Sequence, residues 1–202
     1  VFLAAYEFFY EAKFRSNTSR MIDMDQLDLG EPVRRHANIY LPSPYFFVHK
    51  SFKWVGPAID AGIFVDFGCG LGRVVLYASG YPFRKVIGVE ASAPLSTAAS
   101  KNLEDYYARR QAEGPEWEIV HSDAGRYPVP DQASVFFFND PFDETVLTPV
   151  VENILASQSA APRPVFAIYL NPAHPDVFTS HGFETVHADV NEANKGYIVY
   201  RN

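Results

Sequence analysis

The sequence predicts an α/β, doubly wound fold: a mostly parallel seven-stranded sheet with a C-terminal antiparallel hairpin, preceded by a helical N-terminal extension. Three observations predict it. From residue 62 onward, β-type runs alternate with helix-length amphipathic segments, the pattern of a parallel sheet covered on both faces. The first run, 63–67, breaks into glycines at alternate positions, Gly68, Gly70 and Gly72, before an apolar helical pattern resumes at Val74. The last two runs are separated by residues 191–195 alone, too few for a crossover helix, so they must pair antiparallel.

Taken in order, residues 2–14 place Phe2, Tyr6, Phe9, Tyr10 and Lys13 at helical spacing. Residues 15–43 show little periodicity, and Arg34, Arg35 and His36 read there as a solvated basic cluster. Ser43 is placed to cap a helix over 44–55, with Pro44 at its first position. Strands are expected at 63–67, 85–90, 117–121, 133–138, 164–170, 183–190 and 196–201. Helices are expected at 71–79, 92–112 and 143–157, with a short turn or helix at 174–181. Ser92 and Pro94 start the 92–112 helix, and Gly114 and Pro115 stop it. The division expected is a helical extension or lid over 1–60 and one α/β domain over 61–202.

The bulk composition narrows the function classes. With 48% hydrophobic and 15% aromatic residues the chain is globular. Seventeen basic residues against 24 acidic ones give a net charge of −7. That field opposes polyanions, so nucleic acid is a disfavoured partner. The single cysteine, Cys69, excludes an intrachain disulfide and a cysteine-based zinc site, and a reducing, cytoplasmic setting is expected. No apolar run is long enough to span a bilayer. Glu7 and Glu11 interrupt the N-terminal apolar stretch, which also lacks a basic start, so it does not read as a signal peptide. Val1 in place of an initiating Met implies a native start elsewhere. The six histidines include no metal-ligand spacing, so no metal is expected.

Strand, glycine turn and helix over 63–73 form the opening of a Rossmann-like βαβ unit, with a ligand at the turn. The nicotinamide fingerprint G-x-G-x-x-G fails, because its third glycine would fall at Arg73. Asp66 stands two residues before the first glycine. It would repel a pyrophosphate and suit a ligand carrying an ammonium or sulfonium charge. With D-x-G-x-G-x-G at this point, the chain from about residue 62 to its end resembles the class I S-adenosylmethionine-dependent methyltransferases. Residues 40–45, YLPSPY, followed by such a domain, are similar to small bacterial-type members with unassigned acceptors.

The resemblance implies S-adenosylmethionine as cofactor and a set of site residues. The turn, Asp66, Gly68, Cys69, Gly70 and Gly72, would hold the methionine portion, with the following helix start facing its carboxylate. Glu90, at the end of the second strand and followed by Ala91, would accept from both ribose hydroxyls. Asp123 would accept from the adenine amine, and the Ala124 N–H would serve a ring nitrogen. The fourth strand ends in Asn139, Asp140, Pro141 and Phe142, similar to the Asp/Asn-Pro-Pro-aromatic motif of nitrogen methyltransferases. Asn139, Asp140 and Phe142 are therefore the expected catalytic residues, with Asp140 the candidate base. Asp140 and Pro141 also suit the cap and first turn of the next helix, and the two roles are compatible. Phe142 replaces the second proline and Asp143 stands at the aromatic position, which argues against a nucleobase or glutamine acceptor. Tyr40, Ser43 and Tyr45 are expected to fold over the cleft and shape the acceptor pocket. The expected partner is a small-molecule or protein methyl acceptor. The rivals are a non-catalytic cofactor-binding module acting through a partner and an NAD(P)-dependent oxidoreductase.

Overall fold

The computed structural model describes residues 2–16, 18–20, 22, 27, 29, 31–37, 41–60, 62–110 and 114–202; Tyr40 lies outside the described residues. Its strands are β1 Ile63–Phe67, β2 Lys85–Glu90, β3 Glu116–His121, β4 Ala133–Asn139, β5 Phe166–Leu170, β6 Glu184–Val190 and β7 Gly196–Arg201. They form one seven-stranded sheet in the order β3-β2-β1-β4-β5-β7-β6. The first five run parallel, and β7 is antiparallel to both β5 and β6. The strand order reverses between β1 and β4, and ligands of such sheets bind in the crevice beyond the carboxyl ends at that point. Central strands β1 and β5 are buried at every residue, whereas edge strand β6 is mostly exposed. A strand covered on both faces has no polar side, which explains the unbroken apolar runs.

The helices are α1 Phe2–Phe14, α2 Glu31–Arg34, α3 Tyr45–Phe52, α4 Arg73–Ala78, α5 Ala93–Arg110, α6 Glu144–Ala160 and α7 Asp176–Ser180. Side chains of α1, α3, α4 and α5 share one core with a face of the sheet, and those of α6 and α7 share a second core on the other face. The N-terminal helices are built into the first core. Phe52 of α3 packs on Phe64 at 5.6 Å and on Tyr77 at 5.0 Å between ring centroids. Tyr10 of α1 stacks on Tyr45 at 4.9 Å. Burying one such ring contributes about 1.5–3 kcal/mol, so these contacts hold α1 and α3 to the α/β body.

Local helix signals are met unevenly. Ser92 accepts from the Leu95 N–H at 3.4 Å and starts α5. Ser43 does not cap α3. Pro44 precedes that helix in an extended conformation, and the Tyr45 N–H donates to Glu7 Oε1 at 2.8 Å. The Ser43 carbonyl meanwhile accepts from Arg73 at 3.0 Å, so a carboxylate 38 residues upstream does the capping. The cap of α6 is Asp143, which accepts from the Thr145 N–H at 2.9 Å, and not Asp140.

Candidate active site

A cavity of about 270 Å³ opens beyond the carboxyl ends of β1, β2 and β4. Its floor is the glycine turn, where Gly68, Gly70 and Gly72 take φ of 74°, 55° and 79°. At Gly68 a Cβ would sit 2.5 Å from Cβ of Pro141, so the missing side chain lets the β4 end close against the turn. At Gly72 a Cβ would come within 3.3 Å of Ala99, so that glycine serves the packing of α5. Gly68 and Cys69 line the cavity, while Gly70 and Gly72 support the turn from behind.

The turn is not a free anion cradle. The Gly68 and Cys69 N–H groups donate to Val89 O at 2.9 and 3.1 Å, and that of Gly72 to Cys69 O at 2.8 Å. The Gly70 N–H donates to Glu90 Oε2 at 2.9 Å. Glu90 Oε1 also accepts from the Ser92 N–H at 2.8 Å. Each Glu90 oxygen thus has a lone pair left for a ligand hydroxyl. Burial pushes the Glu90 carboxyl up, against the lowering effect of these backbone donors. Asp66 is 3% exposed and lines the same cavity. Among the described residues no donor is bonded to it, and burial together with the nearby Glu90 pushes its carboxyl well above the usual range. Two buried acids side by side, one without a donor, call for a cationic ligand. The Cys69 thiol is pushed up by burial and by Glu90 and Asp66, so it stays protonated and unreactive.

Ala91, Asp123 and Ala124 continue the wall from Glu90. Asp123 Oδ1 accepts from the Gly125 N–H at 2.9 Å, which orients the carboxylate and caps the short helical turn Ala124–Arg126. At the end of β4, Asn139, Pro141 and Phe142 line the cavity. Asn139 donates to Leu41 O at 2.9 Å and accepts from Asn171 Nδ2 at 2.8 Å.

Two expected site residues stand elsewhere. Asp140 takes φ of 44°, which swings its side chain toward β5, where Oδ1 accepts from the buried Tyr169 hydroxyl at 3.0 Å. It satisfies a buried phenol and does not line the cavity, so it is not placed as a base. Tyr45 is fully buried in the first core under the Arg73 guanidinium, 4.3 Å from its ring centroid, and forms no part of an acceptor wall. Ser43 does line the cavity.

Residues 27–43 supply a roof that no sequence signal indicated: Leu27, Leu29, His36, Ala37, Leu41 and Pro42 line the cavity with Ser43. Ala37 bridges antiparallel to Phe142, and the Asp143 N–H donates to His36 O at 3.0 Å. His36 Nδ1 lies 2.7 Å from Asp143 Oδ2. The supposed solvated cluster therefore sends one member to the catalytic side. Arg73, read only as a missing glycine, is 3% exposed and anchors the other end of the segment. Nε donates to Thr18, Nη1 to Glu7 and Ser43 O, and Nη2 to Glu11 and Ser19.

No protein-family model matches the chain, and no curated protein sequence matches it. Solved structures do. A protein from Pyrococcus horikoshii assigned as an RNA methyltransferase aligns over 98% of this chain and 97% of its own, at 15% identity and a TM-score of 0.58. The magnesium protoporphyrin IX methyltransferase of Synechocystis PCC 6803, with bound S-adenosylmethionine, aligns over 77% of this chain and 76% of its own, at 12% identity and 0.55. A S-adenosylmethionine-dependent methyltransferase from Aquifex aeolicus aligns over 76% and 87%, at 12% and 0.54. At these identities the likeness is one of fold. The chain has the fold of the class I S-adenosylmethionine-dependent methyltransferases. Among the described residues no helix is long and apolar enough to cross a membrane.

Proposed function

We propose that the chain is a methyltransferase that uses S-adenosylmethionine and acts on a small-molecule or protein acceptor, in a cytoplasmic setting. The observation that carries this reading is Asp66: a buried carboxylate without a donor, facing a cavity beside Glu90. A dinucleotide pyrophosphate would meet two acids and turn amides that are already engaged, whereas a cationic adenosyl ligand offsets the buried charge.

Asp66 and the turn through Gly68, Cys69, Gly70 and Gly72 would hold the methionine portion. Glu90 would take the ribose hydroxyls, beside Ala91, and Asp123 with the Ala124 N–H would take the adenine. Asn139 and Phe142 would border the transfer site. When bound, the cofactor supplies a methyl group on a sulfonium leaving group. The chain then needs to position the acceptor and exclude water, which the 27–43 roof does. Asp66, Glu90 and Asp123 make the cavity acidic, which favours neutral or cationic acceptors over a polyphosphate backbone.

The reading is tested by incubating the protein with methyl-labelled S-adenosylmethionine and a cell extract separated into small-molecule, protein and RNA fractions. Label is expected in the first or second fraction. Label confined to RNA would overturn the acceptor class, and no transfer in any fraction would leave only a cofactor-binding module.

A further inference from the structure

Asn139 and Phe142 border the proposed transfer site but neither can take a proton, and Asp140 is turned away toward Tyr169. The titratable side chain that lines the cavity on the Phe142 side is His36. Its Nδ1 is engaged by Asp143 at 2.7 Å, and both side chains are only partly exposed, 35% and 39%. Among the described residues its Nε2 makes no hydrogen bond, so that nitrogen is the one left for a ligand. The Ala37–Phe142 bridge and the bond from the Asp143 N–H to His36 O hold the imidazole beside Phe142.

We propose that His36 is the general base of the site, held in one tautomer by Asp143 as a positioning residue, and that the acceptor is a neutral aromatic hydroxyl compound. This rests on the methyltransferase reading above. A carboxylate on Nδ1 keeps the proton there, leaves the Nε2 lone pair exposed and stabilises the imidazolium once formed. The bond is strong enough that, although burial raises Asp143, the His36 hydrogen bond and charge bring its carboxyl below the usual range. An amine acceptor can attack a methyl group through its own lone pair and lose its proton afterwards. A hydroxyl is a poor nucleophile until its proton leaves, so it is the acceptor that requires a base here. The walls around His36 are apolar: Leu29, Leu41, Pro42, Pro141, Phe142 and Val146. Such a slot suits a flat ring with one ionisable group.

In the step, the hydroxyl proton passes to His36 Nε2 while the oxygen lone pair forms the new C–O bond. The S–CH3 bond breaks with its electron pair on sulfur, converting sulfonium to thioether. The imidazolium then returns the proton to solvent. The charged groups around His36 are Asp143 and Glu144 at the start of α6, the Arg35–Glu31 pair and Arg34 on its own segment, and Asp66, Glu90 and Asp123 across the cavity.

The test uses the full chain with S-adenosylhomocysteine, and 4-nitrophenol as the probe. The absorbance of nitrophenolate reports ionisation of the bound phenol without turnover. Wild type is expected to ionise bound 4-nitrophenol at a lower pH than free solution does, and His36→Asn to lose that shift. Asparagine keeps a donor where Nδ1 stands, so the roof stays latched and S-adenosylhomocysteine affinity should remain within about twofold. With S-adenosylmethionine, His36→Asn should slow formation of 4-nitroanisole by about 10²–10⁴-fold. It should also abolish the acid limb of the pH profile. If S-adenosylhomocysteine binds but 4-nitrophenol neither binds nor shifts, or if His36→Asn methylates at the wild-type rate, this inference falls while the methyltransferase reading stands. If S-adenosylhomocysteine does not bind wild type, both fall.

Discussion

The guanidinium of Arg73 lies flat over the ring of Tyr45, 4.3 Å from its centroid, with Nε, Nη1 and Nη2 all donating to oxygens of the N-terminal segment. An arginine carries five such donors in a rigid fork, and here five bonds to Thr18, Glu7, Ser43, Glu11 and Ser19 use them. The first residue of the helix after the glycine turn is thereby the anchor of α1 and of the roof.

Arg73→Ala should therefore cost about 3 kcal/mol in urea unfolding, the low end for a broken buried pair because Glu7 remains 32% exposed. Arg73→Lys should recover less than half of it, since an ammonium cannot reproduce the fork or the stacking. A loss below about 1 kcal/mol would show that α1 is held by its aromatic contacts alone.

The pH dependence of stability has a definite sign. Asp66 and Glu90 both hold their protons to higher pH in the folded chain than in the unfolded one. The stability this confers is complete below the unfolded carboxylate values near about pH 4 and is lost as pH rises through the raised folded values. Asp66→Asn removes one of the two groups. Its melting temperature should exceed that of wild type increasingly as pH rises, while its affinity for S-adenosylmethionine falls by about tenfold or more. Parallel melting curves across pH for the two proteins would remove Asp66 from the titrating pair.

Asp140→Ala should behave as a structural change. Leaving the Tyr169 hydroxyl unpaired in the core costs about 1–3 kcal/mol, and S-adenosylhomocysteine affinity should not change. Denaturant midpoints alongside calorimetry separate the effects. Normal stability with turnover abolished would restore Asp140 as a catalytic group.

Gly68→Ala should be worse than a usual glycine substitution. The residue sits at φ of 74° and its Cβ would meet Pro141, so strain of about 1–2 kcal/mol is joined by opening of the β1–β4 crevice. Cofactor affinity is expected to fall with stability, and a variant that binds normally would mean that the crevice tolerates the wider gap.

The parallel sheet was legible because fully buried strands leave apolar runs and helices leave a different period between them. Those signals are local, and they located β1, β2, β7 and α1 to the residue. The acids along the cavity were legible for a related reason, since Asp66, Glu90 and Asp123 each stand where a strand or its following loop meets the crevice. Which way a side chain points after a strand ends was not legible. A left-handed φ at Asp140 turned a candidate base toward Tyr169, and nothing in its neighbours' identities signals that rotation. Long-range pairs were equally hidden: His36 meets Asp143 across 107 positions, and Glu7 caps Tyr45 across 38. In each case an isolated charged residue in an aperiodic stretch acquired a role only from a partner far along the chain.

The central claim, that the cavity built around Asp66 and Glu90 takes a cationic adenosyl ligand, is tested most directly by titration calorimetry of the wild-type protein with S-adenosylmethionine and with NADH under the same conditions. Saturable one-to-one binding of S-adenosylmethionine and no heat from NADH is the predicted result. Binding of NADH with none of S-adenosylmethionine would contradict it.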